Sequence, residues 1–176
     1  MKNEVLECIK TRRSIKKYKR DIPPVEVLEA ILEAGTYAPT GKNMQTPIIL
    51  AVTNKELRDR LSRLNAEIMG ATHDPFYGAP CVFVVLADRS VLEMTYINDG
   101  SLVMGNMLLA AHSLGLGACW VHRAREMFES EEGGSILRDL GIEGDFVGIG
   151  NCIVGYPDGD YPVIKPRKAN YIYRIK

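Results

Sequence analysis

The chain has 176 residues, 22 Lys+Arg balanced by 22 Asp+Glu, 46% hydrophobic and 25% charged residues, which is ordinary for a soluble globular protein and long enough for one domain, 1–176, with a real core. The zero net charge argues against a general affinity for nucleic acid or acidic membranes, and the longest apolar run, Ala79 to Ala87, is too short to span a bilayer. The stretch Met1–Glu7 lacks the apolar run of a signal peptide, and the four scattered cysteines (Cys8, Cys81, Cys119, Cys152) suit reduced thiols, so a cytoplasmic chain without a disulfide frame or metal site is expected.

Val5 to Ile9 read as a short amphipathic helix that delivers Thr11-Arg12-Arg13-Ser14. Pro23-Pro24 stop and restart the chain, and Val27, Leu28, Ile31 and Leu32 recur at helical spacing, so residues 24 to 36 form a second helix. After Pro39 a loop, Thr40-Gly41-Lys42-Asn43-Met44-Gln45, leads to a buried strand at 48–52. Leu57, Leu61, Leu64 and Ile68 mark one face of a helix over 55–68, and Cys81 to Leu86 form a second buried strand. The longest helix covers 95–114 and is apolar nearly all round from Leu102, which calls for a second subunit over its far face. Gly115 caps it, 118–121 form a strand, one helix runs from 126 to 139, and a strand from 147 to 155 completes the domain. The rest, ending in the Tyr171-Ile172-Tyr173 alternation, reads as an extended arm.

The cations are concentrated at the two ends. Residues 10–20 hold seven of the 22 Lys+Arg, and the last twelve hold five more (Lys165, Arg167, Lys168, Arg174, Lys176) with no acid among them. Two such ends can converge on one small anion, since guanidinium, ammonium and hydroxyl groups together hold a phosphate monoester. A nucleic-acid surface at 10–20 is the competing reading, and the neutral net charge argues against it. Neither Gly115-Leu116-Gly117 nor Gly148-Ile149-Gly150 completes a dinucleotide fingerprint, and no phosphate-binding P-loop, nucleophile elbow or metal-binding HExxH is present. Cys119 and His122, three residues apart on a strand, face opposite ways and make no nucleophile–base pair. Arg13 and Lys17 alternate away from Ser14 and Lys16 and are expected in solvent.

Taken in order, Arg12-Arg13-Ser14-x-Lys16, Ala38-Pro39-Thr40-Gly41-Lys42-Asn43-Met44-Gln45, Gly115-Leu116-Gly117-Ala118-Cys119-Trp120, Gly155-Tyr156-Pro157 and Lys165-Pro166-Arg167 resemble the nitroreductase family of FMN-dependent oxidoreductases across almost the whole chain. The resemblance implies an α+β fold: a mixed, largely antiparallel sheet flanked by helices, in an intertwined homodimer. It implies FMN as cofactor, NAD(P)H as co-substrate, a small-molecule acceptor such as a nitroaromatic or quinone, and ping-pong turnover. Carried over, Arg12, Ser14, Lys165 and Arg167 match the phosphate site, Arg13 is counted with the cofactor-binding segment only by its place between the first two, and Lys16 matches a cation beside the pyrimidine edge of the ring. Pro39, Thr40, Gly41 and Asn43 match the loop on that edge or the ribityl chain, with Gln45 near the dimer contact. Gly117 or Ala118 matches a backbone N–H near flavin N5, with Cys119 following, and no side chain is assigned as a catalytic acid or base.

The chain departs from the family pattern at Gln45-Thr46-Pro47, where many members have Gln-Pro-Trp, and it is short, without an extra helical lid. Reductive dehalogenation, ene reduction, flavin cleavage or a non-catalytic FMN sensor therefore stay open on the same scaffold. Trp120 to Arg123 are the candidates for substrate or nicotinamide contacts, with a core role for Trp120 as the alternative.

Overall fold

A computed structural model describes residues 2–175; Lys176, one of the cations of the C-terminal stretch, lies outside the described residues, as does Met1. The described residues form six α-helices and one four-stranded sheet: α1 (Glu4–Thr11), α2 (Val25–Thr36), β1 (Pro47–Val52), α3 (Lys55–Met69), β2 (Cys81–Asp88), α4 (Tyr96–Ser113), β3 (Gly117–Val121), α5 (Ala124–Glu129), α6 (Glu131–Asp139) and β4 (Phe146–Gly155). The strand order is β1-β2-β4-β3, with every neighbouring pair antiparallel. A parallel bridge between Ser14 and Ala118 adds the segment after α1 to the free edge of β3 and makes the sheet mixed.

Alternation along β2 builds two cores. Phe83 and Val85 pack with Ile31, Met104 and Met107 on the α2/α4 side, while Val82, Val84 and Leu86 pack with Leu61, Phe76, Met127 and Ile153 on the α3/α5/α6 side. Both faces of β2 are covered, which is why it reads as a continuous apolar run. Each fully buried large side chain contributes roughly 1.5–3 kcal/mol of transfer free energy. The helix ends obey local chemistry: Asn3 and Asn54 accept from Leu6 N and Leu57 N, and Gly70 closes α3 in the left-handed conformation.

Three expectations change. The strand expected to be buried at 48–52 is half-buried along most of its length, with Ala51 exposed and only Val52 buried, because β1 is an edge strand among the described residues. The single helix expected over 126–139 is two, because Ser130 sits at extended ψ 158° and its hydroxyl caps α6 by accepting from Gly133 N. On α4, Met107 and Ala111 are fully buried in their own chain's core, and the apolar residues left open are Ile97 and Leu102, with Leu114 exposed just past its end. No helix among the described residues is long and apolar enough to cross a membrane. From Asp158 to Ile175 the chain has no helix or strand apart from one turn of 3-10 helix at Ala169–Tyr171. Val163, Ile164, Tyr171, Ile172, Tyr173 and Ile175 stand exposed along this arm.

Candidate functional site

The basic segment is shaped by α1 and the edge of β3. Arg12 ends α1 with its N–H on Cys8 O, and the chain turns extended (ψ 136°). Ile15 N then donates to Ala118 O at 3.1 Å. Alternation buries Ile15 and leaves Ser14 and Lys16 outward, with Arg12 half-buried beside them. Gly117 permits this docking, because a Cβ there would collide with the Ile15 side chain. Arg13 is not solvated as expected: one guanidinium nitrogen donates to Lys10 O and Arg12 O, and the other, Nη2, is buried without an acceptor. Lys17 does stand in solvent and pairs with Asp158 at 2.9 Å. Burial pushes the Cys119 thiol up, against the Ser14 side chain and the Lys16 and Arg12 cations, which act the other way. Burial also raises Cys81 to about 11 and Cys152 to about 12, so these thiols are unreactive at neutral pH.

The C-terminal arm starts along the same edge. Lys19 N donates to Tyr156 O, Asp158 N donates to Lys17 O, and Tyr161 packs against His112, whose Nε2 lies 2.9 Å from Thr11 Oγ1. Desolvation, then the Arg12 and Arg13 charges, lowers the His112 pKa. Lys165 and Arg167 lie farther along the arm, exposed, with Arg167 Nη2 donating to Lys165 O at 2.9 Å. No described hydrogen bond or ion pair joins them to Arg12 or Ser14.

The loop at 39–45 is strained. Lys42, Asn43 and Gln45 have φ of 51°, 56° and 51°, a left-handed region that non-glycine residues seldom enter. The buried Asp99 of α4 braces it: Oδ1 accepts from Gly41 N at 2.9 Å, and Oδ2 accepts from Thr46 Oγ1 at 2.9 Å and Thr95 Oγ1 at 3.2 Å. Gly41 is required because a Cβ would run into Thr95 and Leu92. Pro39, Asn43 and Gln45 are exposed, Thr40 and Gly41 are half-buried, and Thr40 and Gln45 line a cavity of about 600 Å³ with Glu29, Glu33 and Val103.

The basic segment and this loop do not meet within one chain. Ser14 bridges Ala118, which faces Val154 of β4 and, through it, Cys81 at the start of β2. The loop instead enters β1 at Pro47, opposite Ala87 at the far end of β2. With strands ~4.8 Å apart and a rise of ~3.3 Å per residue, the two groups are separated by about 20 Å across the sheet and about 20 Å along it.

A third feature lies at the end of β3. The half-buried Trp120 lines a cavity of about 300 Å³ with His122, Arg123, Ile97, Ser101 and Gly148. Two fully buried asparagines hold the turn that follows: Asn65 Nδ2 donates to His122 O at 2.7 Å and Asn151 Nδ2 at 3.2 Å, while both Oδ1 atoms lack partners. Arg123 takes φ 73°. A trans peptide opposes its C=O and N–H, so with the His122 carbonyl held by the two asparagines the Arg123 N–H points away from them. Gly117 and Ala118, by contrast, lie between β4 on one side and the 14–15 segment on the other, and the N–H expected there would have to compete with strand pairing.

Asp99, Asn65 and Asn151 are the residues that sequence reasoning missed. The signal for the asparagines is present: each is a polar residue on an apolar face, Asn65 one turn after Leu61 and Asn151 between Ile149 and Ile153.

The donors present suit a flavin mononucleotide: a guanidinium, a hydroxyl and an ammonium at one sheet edge, an orphaned Arg13 nitrogen beneath them, and a braced polar loop. The comparisons agree. The Nitroreductase family model matches residues 9–72 and 65–156. A nitroreductase of Bacteroides fragilis NCTC 9343, solved with bound FMN, superposes with a TM-score of 0.88 at 32% identity over 99% of this chain and 100% of that one. A second, from Desulfitobacterium hafniense DCB-2 and also with bound FMN, gives 0.86 at 28% identity over 99% and 100%. The NADPH-flavin oxidoreductase of Vibrio harveyi is 29% identical over 97% of this chain and 72% of its own length. A Methanothermobacter thermautotrophicus relative, assigned as an NADH dehydrogenase/NAD(P)H nitroreductase, is 36% identical over 68% of this chain, and the match spans only 61% of that relative. The chain belongs to the nitroreductase family, a family of NAD(P)H-dependent FMN oxidoreductases.

Proposed function

We propose that two copies of this chain build each FMN site together, one giving the basic edge at Arg12, Ser14 and Lys16 and the other the braced loop at Pro39 to Gln45. The separation of those two groups by about 20 Å in each direction of the sheet carries this reading. The open apolar residues support it: Ile97 and Leu102 on α4 and the arm from Val163 to Ile175 have no surface of their own chain to cover them. When bound, FMN supplies the two-electron chemistry, taking hydride from NAD(P)H and passing electrons to a nitroaromatic or quinone-type acceptor in ping-pong order.

The chain's own residues bind and orient. Arg12 and Ser14 hold the phosphate from the sheet edge, and Lys165 and Arg167 close on it from the arm. Charge-assisted bonds of this kind contribute about 1.5–3 kcal/mol each. Lys16 sets a cation beside the pyrimidine edge, where electron density rises on reduction, and so favours the reduced state. Asn43 meets that edge or the ribityl chain across the interface. The Arg123 N–H, held facing away from Asn65 and Asn151, supplies a fixed donor, and Trp120 and His122 wall the acceptor's space.

Subunit mixing tests the composite site. Arg12→Ala and Asp99→Ala each damage a different half, so each homodimer should bind FMN poorly. Co-refolded, half of the dimers are mixed and carry one intact site of two, so about a quarter of wild-type flavin binding and NAD(P)H oxidation should return. No recovery on mixing would place all the contacts in one chain and defeat the proposal.

A further inference from the structure

We propose that Tyr77 is a positioning residue for the ammonium of Lys16, holding it in place without neutralising it; this rests on the reading of Lys16 as the cation beside the flavin. Lys16 Nζ lies 5.5 Å from the centroid of the Tyr77 ring, within cation–π range. Its neighbour Lys17 is paired with Asp158, whereas no carboxylate among the described residues lies within ion-pair distance of Lys16. A carboxylate partner would cancel the field that a cofactor meets. An aromatic face orients the cation and leaves its charge in place.

Tyr77 is held in this position against its own backbone preference. Its φ is 52°, a genuine outlier for a bulky side chain, and it is followed by Gly78, which takes φ 75° at no steric cost. The preceding loop is pinned at both ends by one carboxylate. Asp74 accepts from Phe76 N and Gly78 N at 2.8 Å each, from Ser62 Oγ and from Arg58 Nη2. Arg58, itself buried, also donates from Nε to Ala79 O at 2.9 Å. Four donors on one carboxylate impose a backbone that a tyrosine avoids, and its ring faces Lys16. An observed outlier of this kind points toward function.

The test is the midpoint potential of bound FMN in wild type, Tyr77→Ala, Tyr77→Leu, Tyr77→Phe, Lys16→Ala and the double variant Tyr77→Ala/Lys16→Ala. Tyr77→Ala and Tyr77→Leu should weaken the preference for reduced cofactor three- to tenfold, a fall of about 15–30 mV for a two-electron couple. Tyr77→Phe should keep the wild-type potential, since the ring and not the hydroxyl acts. Adding Tyr77→Ala to Lys16→Ala should change nothing further. An unchanged potential in both Tyr77→Ala and Tyr77→Leu, an equal fall in Tyr77→Phe, or additivity in the double variant would each overturn the proposal. A cofactor-free measurement separates it from the functional reading. In the apoprotein the Lys16 Cε protons should be shifted upfield by the ring and should lose that shift in Tyr77→Leu; absence of the shift in wild type overturns the positioning itself. Failure of wild type to bind FMN while the ring shift is present overturns the flavin reading, and with it the purpose assigned to Tyr77, but not the contact.

Discussion

Removing the Asp99 carboxylate should cost both stability and cofactor, and the structure sets the size of each loss. Asp99 is 2% exposed and accepts three hydrogen bonds, from Gly41 N, Thr46 Oγ1 and Thr95 Oγ1. Bonds to a charged acceptor contribute about 1.5–3 kcal/mol each, and Asp99→Ala leaves the buried Thr46 hydroxyl without its partner. Three bonds sharing one acceptor are not additive, so a total of about 3–5 kcal/mol is expected. At about 2–4 °C per kcal/mol for a domain of this size, Tm should fall by roughly 10 °C. The loop loses more than stability. Lys42, Asn43 and Gln45 sit at positive φ, at a cost of about 1–2 kcal/mol each for Lys42 and Gln45, and without the brace they relax away from the conformation that presents Asn43 and Gln45. Asp99→Asn keeps the shape and one acceptor oxygen and should lose about half as much. Thermal unfolding followed by circular dichroism gives the first quantity, and FMN titration by fluorescence quenching gives the second. If Asp99→Ala melted within about 2 °C of wild type, the brace would not bear the load assigned to it. A full Tm loss with unaltered FMN affinity would remove the 39–45 loop from the cofactor site.

Arg12→Ala should weaken FMN at least tenfold while leaving riboflavin affinity unchanged, because only FMN presents a phosphate; equal losses in paired titrations would move Arg12 off that group. Leu102→Asp should give soluble monomer by light scattering, since Leu102 is exposed on α4 and not part of its own core; a wild-type-like dimer would show that this face is not the interface. Burial raises the Asp74 pKa, but hydrogen bonds from Ser62, Arg58, Gly78 and Phe76 outweigh it, and the folded value lies below the ordinary one. The stabilisation from its ionised form is therefore present above about pH 4 and is lost as pH falls through the folded pKa, so Asp74→Asn should flatten the acid limb of a Tm–pH curve. Initial rates at varied NAD(P)H and acceptor should give parallel double-reciprocal lines; intersecting lines would mean that both substrates bind together.

Most elements were legible in the sequence because they rest on near neighbours. The 3.6-residue spacing of Leu57, Leu61 and Leu64 marked the side of α3 that packs on the sheet, although Ile68, the last of that series, is exposed; continuous apolar runs marked β1 and β2, and prolines and glycines set the breaks. The one helix that proved to be two shows the same locality: Ser130 followed by Glu131 and Glu132 is a helix start, visible once read as a cap and not as part of a longer pattern. The motifs that signalled a flavin were also local strings. Their arrangement was not. Which sheet edge receives the segment at Arg12–Lys16, and which end the loop at Thr40–Gln45, depends on the order β1-β2-β4-β3, a pairing of segments tens of residues apart that no short window contains. Asp99 reaches Gly41 across 58 positions, and Asn65 reaches the His122 carbonyl across 57. A polar residue on an apolar face reveals that a buried acceptor must exist, since desolvation demands one, but only the packed structure decides which backbone atom it is. The chain's chemistry was thus written in its residue types, while the tertiary structure alone decided that the basic segment at Arg12–Lys16 and the loop at Pro39–Gln45 stand at opposite edges and opposite ends of the sheet.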